Sequence, residues 1–134
     1  MSGLAKNYNR KNLSFIKGKG SYLYGTDGKK YLDFVEGIAV NSLGHSHPKL
    51  IKALTLQSKK VWHVSNAFKI PEGEKLAKKI TKNTFADYVM FQNSGAEATE
   101  AAIKVARKYF YSIGKPKKNR ILCVKNSFHG RTIA

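Results

Sequence analysis

Apolar positions recur along this chain at two spacings, and they divide it into helix-like and strand-like stretches. The strongest helical pattern lies between residues 97 and 112. There Ala98, Ala101, Ala102, Val105, Ala106 and Tyr109 fall three and four residues apart, on one stripe of a helix. Glu100, Lys104, Arg107 and Lys108 lie off that stripe, and Gly114 followed by Pro116 ends the pattern. Short apolar runs stand on either side: Val89, Met90 and Phe91 ahead, Ile121, Leu122, Cys123 and Val124 behind. Strand, helix and strand of these lengths predict a right-handed βαβ unit with parallel strands. The turns after the two strands, Gln92 to Ala96 and Asn126 to Arg131, would then leave on the same sheet edge, where open α/β sheets bind ligands.

The first half of the chain is more broken. Residues 1–17 read as a polar lead-in with Leu13, Phe15 and Ile16 as apolar anchors. Ser21 to Tyr24 and Lys30 to Phe34 are strand-like, and Gly25-Thr26-Asp27-Gly28 between them predicts a hairpin. Gly37 to Pro48 is a loop of small residues. Pro48 suits the first turn of a helix running to about Lys60, with Leu50, Ile51, Leu54 and Val61 turned inward. Trp62 to Asn66 is irregular. Pro71 opens another helix, with Glu72 and Glu74 at its start, Lys78, Lys79 and Lys82 toward its end, and Leu76, Ala77 and Ile80 as its buried stripe. The expected division is a small N-terminal segment over residues 1–64 and the beginning of a larger domain over 65–134.

Composition narrows the class. A hydrophobic content of 42% is enough for a globular core in one domain's worth of residues. No run of about 18 apolar residues exists, so a membrane-spanning helix is not expected, and residues 1–11 lack the apolar stretch of a secretory signal. The single cysteine, Cys123, has no partner for an internal disulfide, and a reducing, cytoplasmic setting is the simple reading. The formal charge of +17 suggests a polyanion, but the lysines are spread over several elements and no groove-reading motif accompanies them. Nucleic acid is therefore not expected as a partner. His45-Ser46-His47 offers two metal-ligand types without a third at a telling spacing, so no metal is expected.

The two turns carry the candidate chemistry. Ser94, Gly95 and Ala96 offer backbone N–H groups at a helix N-terminus, with glycine permitting close approach, which favours a phosphate. The alternative is a plain capping box, Ser94 as N-cap with Glu97 three residues on. In the second turn Phe128 presents an aromatic face for a planar ring, and Arg131 a fork for a carboxylate. The alternative there is a core phenylalanine and a solvated arginine.

The run Asn93-Ser94-Gly95-Ala96-Glu97-Ala98-Thr99-Glu100-Ala101-Ala102-Ile103-Lys104, followed by Phe128-His129-Gly130-Arg131-Thr132, resembles the class III pyridoxal-phosphate aminotransferases. Gly18 to Tyr24, Tyr31 to Phe34, Gly37 to Asn41 and Leu43 to Pro48 resemble the same family in the same order. His129, where ornithine δ-aminotransferases more often have tryptophan, tilts the resemblance toward the acetylornithine branch. The resemblance implies an α/β chain forming the N-terminal part of the type I fold of PLP-dependent transferases: a hairpin segment plus the first βαβ unit of the large domain. It implies pyridoxal 5'-phosphate as cofactor, its phosphate on Gly95 and Ala96 with Ser94 beside them, and its ring against Phe128. Arg131 matches the arginine for the substrate carboxylate. The implied reaction moves an amino group between N-acetylornithine and 2-oxoglutarate in arginine biosynthesis, in a homodimer.

In that family the Schiff-base lysine lies beyond the position of Ala134, and a transaminase needs it. The chain by itself is therefore expected to be catalytically inactive. Two other readings stay open: another class III member acting on ornithine, succinylornithine or a longer diamine, and an inactive basic binding module.

Overall fold

The computed structural model describes residues 3–133. The chain divides into two compact units, Met1–Phe68 and Lys69–Ala134.

The first unit is built on a three-stranded antiparallel sheet, order β1-β2-β3, with β1 at Phe15–Lys19, β2 at Tyr22–Gly25 and β3 at Lys30–Leu32. The hairpin expected from Asp27-Gly28 joins β2 and β3, pairing Tyr22 with Leu32 and Tyr24 with Lys30. Asp27 shapes its turn: its carboxylate accepts from the Tyr31 hydroxyl at 2.6 Å and from Lys29 N–H at 3.2 Å, while Gly28 takes a positive φ of 76°. The sequence pattern reads residues 1–17 only as a polar lead-in, yet its end, from Phe15, belongs to β1. Its apolar spacing hid the strand because the ladder shifts register between Phe15 and Lys17, and Ile16 falls in the irregularity. Phe15 packs edge-on to Tyr31, ring centroids 5.5 Å apart.

Asp33, just after β3, ties three segments together. Its backbone N–H donates to Ser21 O. One carboxylate oxygen accepts from the N–H groups of Val35 and Glu36, both at 3.0 Å, and the other meets His45 Nε2 at 2.7 Å. His45 in turn pairs with Gly20 through backbone bonds of 2.9 and 2.8 Å in the two directions. That approach requires bare glycines: a Cβ on Gly18 would sit 2.6 Å from the His45 ring, and one on Gly44 3.0 Å from the Gly20 backbone. The Asp33 hydrogen bonds also anchor α1 (Glu36–Ala39), a single turn wound in the left-handed region. Glu36, Ile38 and Ala39 have φ of 50°, 64° and 60°, a conformation costing non-glycine residues roughly 1–2 kcal/mol each. Neighbouring bonds must hold it in place. α2 (Pro48–Ser58) follows, with proline at its start as expected. Leu50, Ile51, Leu54 and Val61, expected inward, are all exposed.

The second unit contains α3 (Pro71–Asn83) and α4 (Gly95–Ser112). α3 starts at proline with Glu72 and Glu74 in its first turn and Lys82 in its last. Of its expected stripe Ala77 and Ile80 are half-buried and Leu76 is exposed. α4 begins two residues earlier than its apolar pattern suggested, because Ser94 caps it by accepting from Glu97 N–H at 3.2 Å. It ends at Gly114, φ 75°, and Arg107 Nε donates to Asn119 O beyond it.

Two expectations for this unit are corrected. Val89–Phe91 and Ile121–Val124 flank α4 in βαβ order, but neither is paired as a strand among the described residues. Parallel strands are stable when neighbours cover their edges and both faces. Leu122 is 98% exposed and Val124 79%, so nothing described supplies that cover. The stripe of α4 also differs. Of the expected stripe Ala101 and Ala106 are half-buried, whereas Ala98, Ala102, Val105 and Tyr109 are exposed; Thr99, Glu100, Ile103 and Phe110 are half-buried outside it. The helix is apolar on two adjacent faces, and periodicity alone ranks them equally.

Among the described residues no hydrophobic side chain is fully buried. The chain exposes 13007 Å² at 15.0 kDa, where a folded monomer of that mass exposes about 7000 Å².

The Asp33 contacts set an acid limit on the first unit. Its hydrogen bond with His45, then that with the Glu36 N–H, hold its carboxyl below the usual 3.8. The native state thus binds the proton less readily than the unfolded chain, so this stabilisation is complete above pH 3.8 and disappears as pH falls through the lower native value. Asp33→Asn is expected to remove that acid limb and weaken the unit at neutral pH. Near-UV circular dichroism of the tyrosines against pH checks this; coincident acid transitions in the two proteins would contradict it.

Candidate active site

The site is assembled at the N-terminus of α4, within the second unit. Ser94 enters in extended conformation and places its hydroxyl over the first helical turn, where it accepts from Glu97 N–H and donates to Glu97 Oε2 at 3.0 Å. The N-cap half of a capping box is therefore present, with Glu97 answering the Ser94 hydroxyl and not its backbone N–H. It uses the N–H of Glu97 and leaves those of Gly95 and Ala96, which have no intrahelical acceptor by construction of a helix. A Cβ on Gly95 would meet nothing within 4 Å. Two backbone donors thus point out of a helix N-terminus through an open approach, with the positive end of the dipole behind them.

The second turn closes on the first. Gly130 has φ 92°, and a Cβ there would lie 2.9 Å from both Cα and Cβ of Ala96. Only glycine permits this backbone approach. Arg131 and Thr132 are thereby brought beside Ala96, and together with Gln92, Glu97, Glu100 and Lys104 they line an open cleft of about 610 Å³. Thr132 Oγ1 and His129 Nδ1 share a 2.6 Å hydrogen bond across the turn. His129 faces a different hollow of about 410 Å³, between α4 and Ile121–Cys123.

Of the residues singled out in the sequence, Ala96 and Arg131 share one cleft, with Ser94 and Gly95 directly preceding Ala96 at the helix start. Phe128 is 90% exposed, so its ring is not a core residue. Glu100, Gln92 and Thr132 were not singled out. Glu100 lies one helical turn beyond Ala96 and off the apolar stripe, a position that pattern analysis reads as solvated. His45 Nε2 is hydrogen-bonded to Asp33 Oδ2.

The arrangement fits a phosphorylated aromatic cofactor bearing a nearby carboxylate ligand. Backbone donors at a helix N-terminus suit the phosphate and a guanidinium suits the carboxylate, whereas Phe128, expected against the ring, is not among the residues lining this cleft.

The family model for class-III aminotransferases matches residues 4–134. The acetylornithine aminotransferase of Agrobacterium fabrum is 56% identical over 125 residues, covering 93% of this chain and 31% of that protein. That of Aquifex aeolicus is 52% identical over 133 residues, covering 98% and 35%. Among solved structures, N-acetylornithine aminotransferase from Stenotrophomonas maltophilia aligns with TM-score 0.83 at 38% identity, covering 94% of this chain and 36% of that one. Ornithine aminotransferase from Toxoplasma gondii aligns with TM-score 0.91 at 32% identity, over 98% and 31%. The chain spans about a third of the length of the curated relatives it matches. The expected α/β class holds, as the N-terminal part of the type I fold, and the chain belongs to the class-III aminotransferase family.

Proposed function

We propose that this chain is the N-terminal portion of a pyridoxal-phosphate aminotransferase of the acetylornithine type. The observation that carries the reading is the junction of Gly130 with Ala96, which sets a phosphate-directed helix start and a guanidinium on one cleft. Relatives at 51–56% identity named acetylornithine aminotransferase support the substrate class. The reaction is then amino transfer between N-acetylornithine and 2-oxoglutarate, in arginine biosynthesis, by a cytoplasmic homodimer. Residues 1–64 belong to the small domain and 65–134 to the start of the large, cofactor-binding domain.

The residues present would divide the work as follows. The N–H groups of Gly95 and Ala96 hold the phosphate, Ser94 keeps the helix start in shape, and Phe128 lies against the ring. Arg131 binds the substrate carboxylate through two parallel N–H bonds, which fixes both position and orientation. When bound, pyridoxal phosphate supplies the electron sink for exchanging an amino group with a carbonyl oxygen. The lysine that this chemistry needs is assigned to a longer polypeptide.

Binding tests the phosphate assignment directly. 4-Deoxypyridoxine 5'-phosphate has no aldehyde and so cannot condense with surface lysines. Calorimetry is expected to show that the chain prefers it to unphosphorylated 4-deoxypyridoxine, and that Gly95→Ala abolishes the preference; equal affinities would remove the cofactor role.

The two glycines are expected to separate in stability. Gly95→Ala should stay within about 0.5 kcal/mol of wild type. Gly130→Ala, with its positive φ and backbone clash, should cost about 1–3 kcal/mol. Urea denaturation followed at α4 measures both.

In the longer polypeptide, Arg131→Ala should raise the KM for N-acetylornithine roughly tenfold or more, as loss of a charge-assisted forked pair does. The cofactor spectrum should be unchanged. An unaltered KM would refute the role.

A further inference from the structure

The fold turns α3 so that its lysines form a row on the solvent side. Gly73, Ala77, Ile80 and Thr81 are half-buried on one face of the helix. Lys75, Lys78, Lys79 and Lys82 are exposed on the opposite face. Their spacing keeps them on a single stripe roughly 10 Å long, at 1.5 Å per residue. The ion pairs among the described residues are His45–Asp33 and Lys104–Glu100, so no carboxylate matches any of the four. Lys75 and Lys82 each stand three or four residues from both Lys78 and Lys79, and like charges at that spacing repel along a helix. The helix dipole accounts for Lys82, the cation of the last turn, but not for the other three. An outside counter-charge would relieve the whole row at once.

The chemistry of the row selects its partner. Lysine is a point charge that suits a phosphate without fixing its orientation. No aromatic ring stands on α3 for a base to stack on. An interfacial membrane helix inserts its apolar face, and here that face is the half-buried one. Glu72 and Glu74, in the first turn, stop the row at its N-terminal end. A nucleic-acid duplex is stiff over such a distance and would carry its phosphates on past these acids. A thin flexible chain can end before them.

We propose that the solvent face of α3 binds linear polyphosphate, a chain of anhydride-linked phosphates laid along Lys75, Lys78, Lys79 and Lys82. Neutralising those phosphates releases condensed counterions, as it does on nucleic acids. The row is independent of the cofactor reading, which uses the start of α4.

The test is calorimetry of the whole 134-residue chain with long-chain linear polyphosphate at low salt. Binding should weaken as salt rises. Lys78→Gln combined with Lys79→Gln should lower the affinity roughly tenfold or more and flatten the salt dependence. Lys17→Gln combined with Lys19→Gln, an equal charge change on β1, should alter it less than about threefold. Far-UV circular dichroism should show the helices retained in both variants. In the wild type, backbone amide shifts caused by polyphosphate should centre on residues 75–82, a measurement that needs no variant. 4-Deoxypyridoxine 5'-phosphate should not compete, so the row and the cofactor site can fail separately. Equal losses from the two double variants would assign the binding to net charge. Tighter binding of a DNA duplex or of phosphatidylserine vesicles would assign the row to another partner. Any of these results, competition by the cofactor analogue, or no binding at all, overturns the proposal.

Discussion

The absence of a side chain at Gly130 is the constraint on which the candidate site depends. At φ 92° and at contact distance from the Ala96 backbone, position 130 has room for neither a Cβ nor a different hand of turn. The consequence is chemical. A helix start suited to a phosphate and an arginine suited to a carboxylate lie on one cleft, although Arg131 stands 34 positions after Glu97 in the chain. Side-chain hydrogen bonds then trim the two turns, Ser94 with Glu97 on one side and His129 with Thr132 on the other.

The first unit solves a different problem with similar means. Its sheet is small, and its left-handed turn at Glu36–Ala39 is unfavourable for three of the four residues. Asp33 offsets that cost by accepting two backbone N–H groups at the turn's entrance while also engaging His45. Such over-determination is how strained backbone persists. The bare backbones of Gly18 and Gly44 let the His45 loop approach closely enough to complete the arrangement.

Both units leave extensive apolar surface uncovered. The helix α4 is apolar on two adjacent faces, and segments that follow the strand pattern have no ladder partner among the described residues. Hydrophobic side chains on this scale favour a cover, in keeping with relatives about three times as long. The cations behind the charge of +17 are distributed over strands, helices and loops, and Arg107 serves a local end in holding Asn119.

What the sequence determined by itself was local. The hairpin at Asp27-Gly28, the proline starts of α2 and α3, the Ser94 cap and the glycine stop of α4 each follow from the conformational preferences of a few adjacent residues. The family motifs were legible for the same reason, being contiguous. Tertiary structure decided what depends on residues distant in sequence. It placed Gly130 on Ala96, joined His45 to Asp33 across twelve positions of sequence, and paired β1 through a register shift that breaks the alternation of its side chains. It also chose which face of α4 is half-buried. Val105 and Tyr109 are exposed while Ile103 and Phe110 are half-buried, and burial on either face is conferred by whatever packs against it.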